Sequence, residues 1–261
     1  MNRHDIQSAA AILWQHFRQA TRFDELPPHC RPGSRAEAYA IQAEVAKLSG
    51  QSIAGWKIAA TSKAGQQHIH VDGPLAGCLL AARALEGGAR ISLAGNNMRV
   101  AEAEFAFRMG APLPKRLESY SVAEVLAAVA SLHPAIEVPD SRFQDFTCVG
   151  AAQLIADLAC ACWFVLGPAT RADWRALDLA QHGVRAYCNG ALAGEGTGAN
   201  VLGDPRVALA WIANELSTHG DGLRAGDVVM TGTCVTPMPV AAGDSLKADF
   251  GELGVLEAAF S

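Results

Sequence analysis

Charge is scarce in this chain of 261 residues: 18% of it is Asp, Glu, Lys or Arg. The 21 basic side chains are outnumbered by 26 acidic ones, for a net charge of −5. The basic residues are scattered and form no stripe, which argues against a nucleic-acid partner. An anionic substrate would need a local cation or metal to offset the overall negative field. No apolar run approaches the roughly 18 residues that span a bilayer, so no membrane partner is expected. The opening MNRHDIQSAAAILWQHFRQ breaks its apolar residues with His4, Asp5, Gln7, Gln15 and His16. That reads as an amphipathic helix rather than a signal peptide. Paired cysteines are also missing. Cys30, Cys78, Cys148, Cys160, Cys162, Cys188 and Cys234 form an odd, dispersed set, several in apolar settings such as ACACWFVLG. They read as buried thiols in a reducing cytoplasm, not as a disulfide framework. Cys160 and Cys162 lack the paired spacing of a zinc site. No Ser/Gly-rich linker or tandem repeat divides the chain.

Half of the residues are apolar, enough at this length to bury a substantial core. Ser34 with Glu37 forms a capping-box pattern that opens SRAEAYAIQAEVAKLSG, and Gly50 stops it. Ser121 with Glu124 opens a second helix over SVAEVLAAVASL. VGAAQLIADLACAC reads as a third helix. Asp204 and Pro205 open a fourth, which runs to Gly220. Between these lie strand-like runs: SIAGWKIAA, MRVAEAEFAFRM, PAIEVP, WFVLG and VRAYCNG. The C-terminal stretch reads as a meander: two AGD turns, at 225–227 and 242–244, each lead into a strand, and GELG leads into VLEAAF. Helices and strands do not alternate strictly, so an α+β domain is expected rather than a doubly wound sheet.

The stretch AEAEFAF is the most informative. Side chains alternate across a strand, so Glu102 and Glu104 share one face while Ala103, Phe105 and Phe107 share the other. In PAIEVP, Glu137 is embedded between Ile136 and Val138. A buried, unpartnered charge is costly, and three such carboxylates converging on one Mg²⁺ or Mn²⁺ would remove that cost. The competing reading is the wet face of an edge strand, with Glu137 capping a turn or pairing with Arg142. Lys57 is the only charge between Ser52 and Ser62. It either snorkels along Trp56 to water, or is buried with a lowered pKa unless a carboxylate keeps it charged. GEGTGAN at 194–200 fits neither GxGxxG nor a P-loop. His68 and His70 read as surface loop residues, and Asp140, Ser141 and Arg142 as a polar turn ending a strand.

Taken in order, GWKIAATSKAGQQ, AEAEFAF, PAIEVPDSRFQDF, QLIAD, GTGANVLGDP and AGDVVMTGT resemble one known group. It is the 2-oxopent-4-enoate hydratase and 4-oxalocrotonate decarboxylase group of the fumarylacetoacetate hydrolase superfamily. The resemblance implies a mixed β-roll of that superfamily's C-terminal-domain type. Residues 1–50 would form a helical part packed on the same domain as a catalytic roll at 51–261. It implies Glu102, Glu104 and Glu137 as ligands of Mg²⁺ or Mn²⁺ and Lys57 as the catalytic lysine. Thr233, and Arg142 from the polar turn, become candidates for binding a small 2-oxo acid substrate.

The implied activity is hydration of a 2-hydroxydienoate in aromatic catabolism, by a cytoplasmic homo-oligomer that could pair with a partner decarboxylase or hydratase. Two departures stand out. Leu75, in VDGPLAG, falls where the hydratases are expected to carry an aspartate, which favours the decarboxylase alternative. Leu158 falls where the group commonly has Asn. C–C hydrolysis of an acylpyruvate ranks lower, because His16 and His29 lack an evident carboxylate partner. A non-catalytic partner subunit is disfavoured by the glutamates and Lys57.

Overall fold

In the computed structural model, which describes residues 1–261, two capped helices open the chain. In α1 (Arg3–Gln19) the Asn2 side chain accepts the Asp5 N–H, and Ala9, Ala10, Leu13 and Phe17 bury one stripe. Ser34 caps α2 (Arg35–Ser49), and Gly50 ends it in the left-handed conformation at φ +67°. The capping box there is incomplete: Glu37 accepts from the Gly33 N–H and the amino terminus instead.

The chain then runs through β1 (Ile53–Ala59), α3 (Lys63–His68), β2 (Leu75–Leu80), β3 (Ala84–Glu86), β4 (Ala89–Ile91) and the long β5 (Val100–Met109). The short β6 (Leu113–Pro114) and α4 (Val122–Ala127) lead to β7 (Val129–Val138), α5 (Gly150–Ala156) and β8 (Trp163–Leu166). A hairpin of β9 (Gly183–Cys188) and β10 (Ala191–Thr197) precedes α6 (Pro205–His219). The last elements are β11 (Gly222–Leu223), β12 (Val228–Thr233), β13 (Met238–Pro239), β14 (Ser245–Asp249) and β15 (Val255–Phe260).

The larger sheet has the order β2-β1-β12-β5-β7-β8-β3, and a five-stranded sheet has the order β10-β9-β14-β15-β4. The large sheet curls. Its outer face carries Phe105, which packs edge-on against Phe250 at 5.4 Å, and Phe107, which packs against Trp174 at 5.6 Å. Both contacts carry the geometry that aromatic quadrupoles favour.

Three expected elements differ. The helix opened by Ser121 has its full capping box but ends at Ala127. From Val129 the chain is strand, because β7 pairs with β5 from Met109↔Val129 to Glu102↔Glu137. Long-range pairing there overrides the helical leaning of LAAVASL. The third helix stops at Ala156, since Leu158, Ala159 and Cys160 have φ of +56°, +47° and +64°. The C-terminal strands do not form one meander. β12 lies between β1 and β5 in the large sheet, whereas β14 and β15 join β9 in the smaller one. Their burial explains the split: VVMTGT is buried almost throughout, as an interior strand must be, while β14 alternates.

Candidate metal and active site

Register brings the acidic residues together. Glu102 lies directly opposite Glu137 across β5 and β7, and alternation puts Glu104 on the same inner face. One carboxylate oxygen from each of Glu102, Glu104 and Glu137 can be chosen so that all lie within 4.8 Å of one another. Lys57 joins them from β1, where its partners are Gly77 in β2 and Met230 in β12.

Glu104 and Glu137 are fully buried, Lys57 is 2% exposed, and Glu102 alone is partly open. The edge-strand reading of Glu-x-Glu therefore does not hold. Lys57 Nζ lies 3.1 Å from Glu137 Oε1 and donates to the Ala159 carbonyl at 3.1 Å. The contact with Glu137 is an ion pair, and apart from Lys57 no donor reaches either Glu137 oxygen or Glu104 Oε1. The other Glu104 oxygen accepts the Gly232 N–H at 2.8 Å.

Buried carboxylate oxygens without donors are what a hard divalent cation would satisfy, so the residues fit such an ion. Burial pushes the Glu102 carboxyl up to about 7, helped by the Glu137 charge. Burial also raises Glu104, with Glu137 and Glu102 adding to it, and raises Glu137 against the opposing pull of Lys57. Burial alone would lower Lys57, but the nearby carboxylates, Glu137 foremost, outweigh it and hold the ammonium charged.

Backbone groups that sequence reading did not foresee complete the cluster. The left-handed turn at residues 158–160 supplies the acceptor for Lys57, and all three of its carbonyls are hydrogen-bonded. The Cys160 N–H returns to the Asp157 carbonyl at 3.1 Å, the Ala161 N–H to Leu158 at 2.9 Å, and the Asp140 N–H to Cys160 at 2.9 Å. Gly77, opposite Lys57, lets the turn close down: a Cβ there would sit 1.8 Å from the Leu158 oxygen.

Arg142 pairs not with Glu137 but with Asp157, in a fully buried ion pair. Its Nη1 also reaches the Ala161 carbonyl at 3.4 Å. The Asp157 carboxylate also accepts from the Ser141 hydroxyl at 2.8 Å and the Arg142 N–H at 3.0 Å. The pair therefore anchors the start of the turn that reaches Lys57. Both residues lay in motifs noted from sequence, but nothing in one dimension marked them as partners. Thr233 stands opposite Glu104 in the pairing of β12 with β5, and its hydroxyl donates to the Val235 carbonyl. Leu75 is fully buried at Ala59 in the register, on the same face as Lys57. His70 lies in an exposed segment, where its ring contacts the Thr147 carbonyl.

The profile of the Fumarylacetoacetate (FAA) hydrolase C-terminal family matches residues 59–261. The chain belongs to that family. It is 34% identical over 263 residues to a 2-keto-4-pentenoate hydratase of Burkholderia vietnamiensis, covering 99% of this chain and 98% of the relative. It is 32% identical over 271 residues to a 4-oxalocrotonate decarboxylase of a Pseudomonas species, covering 100% of both. Its fold superposes on the 4-oxalocrotonate decarboxylase from Pseudomonas putida G7 complexed with magnesium and adipate, with a TM-score of 0.89 and 28% identity. That match covers 100% of this chain and 99% of the other. The α+β fold, with a curled sheet and N-terminal helices, is thus that of the fumarylacetoacetate hydrolase family, and members similar to this chain include hydratases and decarboxylases.

Proposed function

We propose that this chain is a divalent-metal-dependent hydratase that adds water to a 2-hydroxydienoate or its 2-oxo-enoate tautomer. The observation that carries this is the buried cluster of Glu102, Glu104 and Glu137 closed by the charged Lys57. The relatives named as hydratases support it. Mg²⁺ or Mn²⁺ held by the three glutamates would supply Lewis-acid stabilisation of the negative charge that develops on the substrate's C2 oxygen.

The protein's own groups do the rest. The substrate's C2 hydroxyl proton is lost and a proton is delivered to C5, giving the conjugated 2-oxo-3-enoate. Water then adds, its oxygen to C4 and its hydrogen to C3. In this reading Lys57 moves these protons, a role worth about 10²–10⁴ in rate. Its position is set by the Ala159 carbonyl and Glu137. Thr233 can take the substrate's C1 carboxylate if its hydroxyl exchanges the Val235 carbonyl for that oxygen. Arg142 keeps its donors on Asp157 and Ala161. We read it as positioning the turn rather than touching substrate.

Leu75 favours a second reading, decarboxylation of a 4-oxalocrotonate-type dioate at the same site. It places an apolar, fully buried side chain on the Lys57 face, at the position where the resemblance leads one to expect a hydratase aspartate. There the remote C–C bond to the carboxylate breaks, CO₂ leaves, and the dienolate so formed takes the electrons. Our reading extends to a homo-oligomer or a complex with a partner enzyme, and to a reducing cytoplasm, which the seven unpaired cysteines support. No helix is long and apolar enough to cross a membrane.

Product identification by NMR distinguishes the readings. The enzyme is given 2-hydroxypenta-2,4-dienoate with Mg²⁺, and 2-oxohex-3-enedioate in a parallel sample. Chelator-sensitive 4-hydroxy-2-oxopentanoate establishes the hydratase. Turnover of the dioate alone establishes the decarboxylase, and inertness toward both removes this substrate class.

A further inference from the structure

A second polar cavity, of about 250 Å³, lies away from the glutamates, between the C-terminal end of α1, the segment at 92–96 and the start of β8. It is on the other face of the large sheet. Phe164 pairs with Glu137 and shares its face, whereas Trp163 pairs with Val138 and points the opposite way, into this cavity. Its lining is cationic in a chain whose net charge is −5: Arg18, Arg22, Arg83 and Arg142 all border it.

Two of these charges are matched, Arg22 by Asp140 and Arg142 by Asp157. Arg18 and Arg83 have neither an ion pair nor a hydrogen-bond acceptor. Arg83 is nonetheless held in place. Its guanidinium carbon lies 4.7 Å from the Phe17 ring centroid and 4.2 Å from that of Trp163. The two rings pack on the guanidinium, and its N–H donors remain unspent. In the same cavity lining, the buried Arg22 Nε–H also lacks an acceptor, although the Arg22 side chain is only 10% exposed. A guanidinium packed on two aromatic rings with its donors free, lining one cavity with the free Arg22 Nε–H, can receive an oxyanion through charge-assisted hydrogen bonds.

We propose that this cavity is a second binding site, for a small oxyanion of the carboxylate or phosphate type. Its volume falls just short of the roughly 300–1,000 Å³ of pockets for drug-sized ligands, which suits a small acid and excludes a nucleotide. The site requires no metal and does not use the glutamates. It therefore stands or falls independently of the proposed catalytic chemistry.

The test is isothermal titration of the full-length protein, stripped of metal by a chelator and then dialysed free of it. Succinate is the probe in one arm and inorganic phosphate in the other. Saturable one-to-one binding of either is expected, and the tighter of the two identifies the source of the anion. Arg83→Gln should weaken binding about tenfold or more, the worth of one charge-assisted contact. Arg18→Gln, at the exposed rim, should weaken it by a few-fold only, and Glu104→Gln should leave it unchanged. Arg83→Lys guards against misfolding: it keeps the charge without the fork and should bind with intermediate strength. No saturation by either anion in the millimolar range overturns the proposal. So does binding that survives Arg83→Gln or that disappears with Glu104→Gln.

Discussion

Glu104 illustrates how far a single side chain's role depends on what surrounds it. Its Oε2 accepts one backbone N–H, its Oε1 accepts nothing, and two further carboxylates share its pocket with only Lys57 to oppose them. A cation bound to the native state raises stability by mass action, about 2.7 kcal/mol at a hundredfold excess over Kd. Mg²⁺ should therefore raise the melting temperature of chelator-treated protein, and Glu104→Gln should remove most of that rise. An undiminished rise in the variant would place the ion elsewhere.

Lys57→Met should reduce kcat about a hundredfold or more if the ammonium moves protons. A loss below about tenfold in steady-state kinetics would take Lys57 out of that role. His133 gives a separate prediction. Burial holds its imidazole below the usual 6.5, while one ring nitrogen contacts the Gly167 carbonyl. A folded-state pKa below the unfolded one means that the unfolded chain binds the proton first. This contribution to stability is thus intact above pH 6.5 and is lost as pH falls from there toward the lowered folded value. Denaturant melts at stepped pH should show that decline, and His133→Gln should flatten it.

At the scale of elements, the decisive piece is the turn between α5 and β8. Three successive left-handed residues cost on the order of 1–2 kcal/mol each outside glycine or asparagine. Leu158 carries that cost at a position where the resemblance leads one to expect Asn, and its side chain is completely buried. The buried Arg142–Asp157 pair holds the turn in place. Removing one member of such a pair leaves an uncompensated charge and costs about 3–5 kcal/mol, whereas replacing both with apolar residues is often nearly neutral. Asp157→Leu should therefore melt far earlier than the double variant Arg142→Met/Asp157→Leu. Because the turn carries the Lys57 acceptor, the double variant should recover stability but not kcat. Equal recovery of both would separate the turn from catalysis.

At the scale of the molecule, a single apolar cluster of 70 buried residues runs from Ala9 in α1 to Phe260 in β15. The N-terminal helices are sewn to the sheet by polar contacts as well. Gln42 donates to the carbonyls of Ala76 and Ile155 and accepts from the Cys78 N–H. Arg35 and Tyr39 both reach Glu215 in α6. A chain lacking residues 1–50 should consequently not fold alone, and its amide NMR spectrum should be poorly dispersed. A well-dispersed spectrum would show that the roll is independent of its helices.

The parts legible in the sequence were those set by local chemistry. Ser34, Gly50, Asp204 and Pro205 bound their helices where capping chemistry requires. The alternation in AEAEFAF put Glu102 and Glu104 on one face and the phenylalanines on the other. The resemblance of ordered motifs pointed to the family. What only the tertiary structure decided is everything that depends on register and closure. The pairing of Glu102 with Glu137, the approach of Lys57, and the choice of Asp157 over Glu137 by Arg142 arise between residues far apart along the chain. So do the conversion of VASL from helix to strand and the left-handed turn that reaches Lys57. Their physical reason is shared: each is stabilised by partners that a folded sheet supplies and a local stretch of sequence cannot contain.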